Sequence, residues 1–327
     1  MKPAIYSRYT ALFRVGAICV WSAGAFAQGP SADQPITITV QTENSVLYRG
    51  DTFDISKIAK TPSATTSVNT AFLTSVNIGD IRTVNGKAAQ GIWSYQVVAI
   101  PFRANPQPGQ AIADMDATGM FQCIWQIVTA DGKYVGTLLD SGASPSPYHI
   151  VTGGSGAFLG TTGVHGPMQA ISVQRGASTS EDPANRRLLG GGKVGVTFTL
   201  YPRSRPTIVT TSAGPAVVHQ DGKQVTSANP ASAGELLTLY ATGLGPTTPV
   251  VDPGQPFPQS SAYPANAPVD VLVNGQPAEV LGAVGYAGAV DGYQVNFRFP
   301  AGIPAGTASL QLTAAWIPGS SVSIATK

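Results

Sequence analysis

The sequence is poor in the residues that chemistry most often uses. It contains 3 histidines and 2 cysteines in 327 residues, and only 11% of its residues are charged. Cys19 falls inside an apolar leader, which leaves Cys123 as the lone thiol of the remaining chain. No intrachain disulfide can form there, whatever the redox compartment. His149, His165 and His219 lack the His-Glu-x-x-His or Cys/His spacing of a sequence-local metal site, so no metal and no other cofactor is expected. Charge of either sign is scarce, and the cations Lys2, Arg8 and Arg14 all precede residue 28. Without them 16 cations face 17 anions, a net charge of −1. That balance excludes binding to nucleic acid or to an anionic membrane by bulk charge. Beyond the leader no run is apolar for the roughly 20 residues a spanning helix needs, so no membrane span is expected in the mature chain.

The leader itself is a basic start, a short apolar stretch over residues 15–21, and small residues at Ala25-Phe26-Ala27. This is the pattern of a secretory signal peptide over residues 1–27, cleaved after Ala27. The expected location is secreted, periplasmic or at the cell surface.

Turn formers and β-branched residues are abundant, with 37 glycines and 26 prolines. Together with scarce charge they point to an all-β protein of many short strands. About 300 mature residues suggest two domains. The boundary lies at Tyr201-Pro202-Arg203-Ser204-Arg205-Pro206, giving a first domain over 28–203 and a second over 204–327. Charge also divides there, +2 over 28–205 and −3 over 206–327.

In the second domain Tyr293, Val295, Phe297 and Phe299 alternate with polar residues, the period of a half-buried strand. Leu310, Leu312 and Ala314 repeat the pattern, and Asn274-Gly275 marks a hairpin after Val269, Val271 and Val273. Such strands, separated by Gly/Pro turns, suggest a sandwich. Asn229-Pro230-Ala231, the run from Gly234 to Pro246 (GELLTLYATGLGP), Val271 to Ala278 (VLVNGQPA), Tyr286-Ala287-Gly288, Gly292 to Asn296 (GYQVN) and Pro300-Ala301-Gly302 occur in order. They resemble the Solibacter-type C-terminal domain family. The resemblance covers most of 206–327 and implies an immunoglobulin-like β-sandwich at the end of an exported bacterial protein, a display or adhesion module without catalytic residues.

The first domain also reads as strands. In Met120 to Val128, Phe121, Cys123, Trp125 and Ile127 share one face and Gln122, Ile124, Gln126 and Val128 the other. Asp131-Gly132 turns that strand back into residues 134–139. Further on, Val151-Thr152-Gly153-Gly154-Ser155-Gly156-Ala157-Phe158-Leu159-Gly160-Thr161-Thr162-Gly163 resembles the signature of the β-barrel shared by allene oxide cyclases and dirigent proteins. An upstream hairpin ending Asp-Gly-Lys and a final Thr197-Phe198-Thr199-Leu200-Tyr201 strand agree with it. The resemblance implies an allene oxide cyclase/dirigent-like barrel over about 36–203; trimers occur in those families. Glycines so clustered (Gly153, Gly154, Gly156, Gly160, Gly163) permit positive φ, a bulge and close backbone approach, a structural role rather than a catalytic one.

Several motifs carry weaker chemistry. The glycine run lacks a Gly-Lys-Ser/Thr ending and a following helix, which removes a phosphate loop. Leu138-Leu139-Asp140-Ser141-Gly142 is similar to the active-site turn of retroviral-type aspartic proteases, and Leu188-Leu189-Gly190 to its downstream partner. That mechanism needs two carboxylates sharing a proton, so an ordinary Asp-Ser-Gly turn between barrel strands is the favoured reading. Asp114 and Asp116 form one carboxylate pair, far short of the six to eight oxygens calcium takes. Cys123 has no base placed near it by the sequence and reads as a small buried residue.

Trp93, Tyr95, Phe121, Cys123 and Trp125 are first a core. If they face the lumen, they line an apolar cavity, the default small-molecule site of such barrels. The leading functional reading is therefore non-catalytic: a barrel that binds a small apolar ligand or serves in a surface assembly. The partners expected are that ligand, a cell-surface or extracellular partner, and further copies in a homo-oligomer. Cyclase, isomerase or dirigent-like activity is the rival, and a carboxylate such as Asp80 or Asp116 beside Tyr or Arg in an open cavity would favour it. A purely structural envelope protein is the third reading. Mass spectrometry of protein recovered outside the cytoplasm is expected to show a mature N-terminus at Gln28; an intact Met1 there would remove the export reading.

Overall fold

The computed structural model describes residues 34–49, 73–100, 118–143 and 146–327. The expected leader and the Asp114/Asp116 pair lie outside the described residues. The described residues are all-β, in two large sheets and a two-stranded ribbon, apart from one short helix, α1 (Asn185–Leu189). Among the described residues no helix is long and apolar enough to cross a membrane.

The first sheet is a closed, eight-stranded antiparallel barrel. Its strands are β1 (Ile36–Arg49), β2 (Leu73–Val84), β3 (Lys87–Ile100), β4 (Thr118–Thr129), β5 (Tyr134–Ala143), β6 (His149–Gly156), β7 (Thr162–His165) and β10 (Gly192–Tyr201). Neighbours in sequence pair throughout, and β10 closes the ring on β1. Two short strands extend it, β8 (Gln169–Ala170) against β10 and β9 (Arg175–Ser178) parallel to β1. The alternation that builds β10 is plain: Val194, Val196, Phe198 and Leu200 are buried, and the residues between them face out or are half-covered. In β1, Ile36, Ile38 and Val40 do the same, and pairing sets Ile36 opposite Leu200 and Val40 opposite Val196. Inward apolar residues thus meet inward apolar residues around the ring. The barrel core is filled by Trp93, Trp125, Phe158, Phe198 and Leu138, all fully buried.

The tight β2–β3 turn carries positive φ at both Asn85 and Gly86, the requirement of a two-residue hairpin. In the expected Asp131-Gly132 turn only Gly132 is left-handed, and the β4–β5 register shifts beside it at Ile127/Val128. Asp140-Ser141-Gly142 does not form the expected turn. It lies within β5, because that strand runs on to Ala143. The stretch from Glu181 to Gly192, loop-like by sequence, holds α1.

The second sheet comprises β11 (Thr207–Ile208), β14 (Val217–His219), β15 (Leu236–Thr242), β16 (Val269–Val273), β17 (Gln276–Gly285), β18 (Gly292–Arg298), β19 (Gly306–Ala314), β20 (Ile317–Pro318) and β21 (Val322–Thr326). A separate ribbon pairs β12 (Thr210–Thr211) with β13 (Gly214–Pro215). The turn at Asn274-Gly275 is left-handed at both positions, as the hairpin reading requires. Strand β17 pairs β16 through its first residues and β18 through the rest, with a register shift between Val280 and Gly282. The sheet curls around this strand. Leu237, Leu239, Val295 and Phe297 on one arm then share a core with Val271, Val273, Leu310 and Leu312 on the other.

This second sheet closes one end of the barrel. Asn266 Nδ2 donates to Tyr134 O at 3.0 Å, Lys87 Nζ pairs with Asp270 at 3.0 Å, and Arg205 reaches the carbonyls of Gln34 and Pro318. Ala315, Trp316 and Ile317, at the turn between β19 and β20, join the barrel's own core cluster. Ala315 and Trp316 both have positive φ there, strain held in place by burial of the indole.

The glycine motif spans β6, its turn and β7. Gly156 and Gly160 have positive φ, and Gly163 at +151° packs so closely on β10 that an added Cβ would collide with the Thr199 carbonyl. Gly153, by contrast, has open space and ordinary φ. Gly163→Ala is expected to cost about 2–3 kcal/mol and Gly153→Ala less than about 1 kcal/mol, read from urea midpoints. Equal losses at both positions would contradict this account of the motif.

Candidate functional site

Trp93, Tyr95, Phe121, Cys123 and Trp125 all point into the barrel. The tryptophans fill it rather than line a void: both are fully buried, stacked at 5.2 Å between ring centroids, with Phe198 edge-on to Trp125 at 5.3 Å. Toward the end remote from the second sheet the character changes. Tyr95 and Phe121 are only partly buried and stack at 5.4 Å, and the His149 ring lies nearly parallel to both, at 5.7 Å from Tyr95 and 5.2 Å from Phe121.

Below this aromatic group sits a polar cluster that sequence reasoning did not assemble. Cys123 and Asp140 are cross-strand partners on β4 and β5, and His149 and His165 are cross-strand partners on β6 and β7. All four face inward from adjacent strands and are buried, with Asp140 at 0% side-chain exposure, His165 at 1% and His149 at 5%. Asp140 Oδ1 faces His149 Nδ1 at 2.9 Å and His165 Nε2 at 3.1 Å. Its other oxygen accepts from Trp125 Nε1–H at 2.8 Å. Cys123 Sγ lies 3.5 Å from His149 Nδ1, so the thiol that had no base nearby in sequence has one in space. One donor atom from each residue falls within 4.8 Å of all the others.

Electrostatics follow from burial and these contacts. Burial alone would raise the Asp140 pKa, but the hydrogen bonds from His149 and His165 outweigh it and hold the carboxyl well below the usual range. Cys123 moves the other way: burial, then the Asp140 charge, push its thiol well above the ordinary value. It is no ready thiolate. Burial, with Cys123 and Asp140 behind it, likewise raises the Tyr95 phenol. The His149 ring packs where Gly142 has no side chain; a Cβ there would press on the imidazole.

The other motif residues lie apart. Asp140 has histidines and an indole as neighbours rather than a second carboxylate, and Leu188 and Leu189 are exposed on α1. His219 is held in the second sheet by Glu235 and by Asn229 O at 3.1 Å. Between β3, β4, β5 and β6 a pocket of about 310 Å³ is lined mainly by outward residues such as Ser94, Gln122, Ile124 and Leu139, and Cys123 and Asp140 also border it.

Asp80 does stand beside arginine, but outside the lumen. Its neighbour Gly79 faces Trp93 and Ser45 inside, so alternation turns Asp80 outward, under α1. There it binds Arg186 at 2.6 Å, Arg187 at 2.8 Å and Asn44 at 3.1 Å. These contacts pin α1 to the barrel. Burial opposes the Asp80 charge, and hydrogen bonds from Arg187, Asn44 and Arg186 outweigh it, lowering the pKa to about 2.

The paired carboxylate stabilises the fold fully above the ordinary aspartate pKa of about 4, and this contribution is lost as pH falls through about 2. The stability difference between the wild type and Asp80→Asn should therefore shrink by about 2 kcal/mol from pH 7 to pH 2, measured by urea unfolding. A pH-independent difference would refute the assignment.

No protein-family model matches this chain, and no curated protein matches it.

Proposed function

We propose that the protein is an exported binding protein whose barrel takes a small, largely apolar molecule at the end remote from the second sheet. The observation that carries this is the near-parallel group of Tyr95, Phe121 and His149, facing inward, with Tyr95 and Phe121 partly exposed above the buried His149 and its polar neighbours. A flat apolar ligand extends such a stack, and a few convergent polar groups orient it. The second sheet, in this reading, is an immunoglobulin-like display or adhesion module, and its resemblance to the Solibacter-type C-terminal domains supports that role.

Two observations favour other readings. Asp140 buried between two histidines is an acid–base arrangement suited to isomerase or cyclase-like chemistry. Exposed Met120, Ile124, Leu139 and Ile150 on the outer wall favour a surface assembly, including a homo-oligomer.

Titration of the mature protein with 1-anilinonaphthalene-8-sulfonate tests the lumen. One saturable site is expected, weakened about tenfold or more by Phe121→Ala or Tyr95→Ala and unchanged by Ile124→Ser. Absence of saturable binding to this dye and to fatty acids would overturn the proposal. Loss of binding in Ile124→Ser alone would move the site to the outer wall.

A further inference from the structure

We propose that Cys123, Asp140, His149 and His165 form a four-ligand site for a divalent transition-metal ion of the zinc(II) type. The inference rests on the cluster's geometry and is independent of whether a small molecule binds at the aromatic end.

Hydrogen-bond accounting motivates it. His165 Nδ1 lies 2.6 Å from the Gly166 carbonyl, an acceptor only, so that nitrogen carries the proton. In the neutral ring Nε2 then presents its lone pair, yet it points at a carboxylate oxygen 3.1 Å away. That pair needs a positive charge: a second proton on His165 makes Nε2–H a donor to Asp140, and a metal cation held between the two atoms makes two bonds of the same geometry. His149 Nδ1 faces the same Asp140 oxygen at 2.9 Å and Cys123 Sγ at 3.5 Å, so one nitrogen adjoins both other side chains. All four donors thus converge on one small volume, within 4.8 Å of one another. Tetrahedral zinc, with bonds of about 2.0–2.3 Å, separates its donors by roughly 3.3–3.8 Å, a spacing within reach of these side chains by small rotations.

The groups behind the ligands agree. Metal-bound histidines commonly donate their second nitrogen to a backbone carbonyl, as His165 does to Gly166, and metal-bound carboxylates are themselves hydrogen-bonded, as Asp140 is by Trp125. One sulfur, two imidazoles and one carboxylate form a borderline donor set that suits zinc(II) or cobalt(II) and disfavours magnesium or calcium. With four protein ligands and almost no exposure the site is closed, hence structural in type. An ion there ties β4, β5, β6 and β7 together beneath the aromatic end. It also takes up the histidine nitrogens that acid–base chemistry would need.

The test uses the full mature protein, stripped with a chelator, reduced, and titrated with cobalt(II). Expected are saturation at one equivalent, the visible d–d bands of a tetrahedral ion and a sulfur-to-cobalt charge-transfer band. Zinc(II) should displace the cobalt and raise the melting temperature. Cys123→Ser should retain the fold and lose the charge-transfer band, and His165→Gln should weaken cobalt binding at least about tenfold. Failure of the folded, reduced wild type to bind cobalt stoichiometrically would overturn the proposal, as would a cobalt spectrum unchanged in both variants. Dye binding at the aromatic end is read separately, so either proposal can fail without the other.

Discussion

Pairing of β1 with β10 is the constraint on which the rest of the barrel depends. These strands are separated by more than 140 residues of sequence, yet they pair from Ile36/Leu200 to Thr42/Val194 before the register slips. Closure pairs the first and last strands of the ring with each other and forces alternate side chains into an enclosed lumen. Everything said of the interior follows from that enclosure. Trp93 and Trp125 are buried because the ring shuts around them, and Cys123 and Asp140 lose water for the same reason.

Enclosure makes the polar content of the lumen expensive unless it is paired. A lone carboxylate would lose its charge in such a place, whereas Asp140 keeps a low pKa through the groups around it. Its two oxygens serve different neighbours: one meets both histidines, the other the indole of Trp125. The same field keeps the Cys123 thiol protonated. Buried networks of this kind demand full satisfaction, and His165, between the Gly166 carbonyl and Asp140, reaches it only with a positive charge there, a second ring proton or a bound cation.

The two ends of the barrel differ in what covers them. At one end Trp316 and its flanking residues merge into the barrel core, with Asn266, Asp270 and Arg205 fixing the edges. At the other the aromatic group is partly exposed and the polar cluster lies beneath it. Asp80 belongs to neither end. It anchors α1 on the outer wall, so its arginines organise the surface rather than the lumen.

By itself the sequence determined the all-β class and the turns at Asn274-Gly275 and Gly132, since these depend on alternation and on local backbone preference, but it left open which face of β4 points inward, because both faces carry apolar residues. It read the returning strand only as far as residue 139 and placed Asp140 in a turn, so the pairing of Cys123 with Asp140 came from the structure. It could not bring His149 and His165 to them. Those residues arrive through the connections after β5 and β6, whose lengths do not set a register, and the β5–β6 pairing shifts between Leu139 and Asp140. Nor could local pattern show that Asp140-Ser141-Gly142 continues a strand, or that Asp80 points away from the lumen. Only closure of the ring, which sums the registers of eight strands, decided which polar side chains meet in its interior.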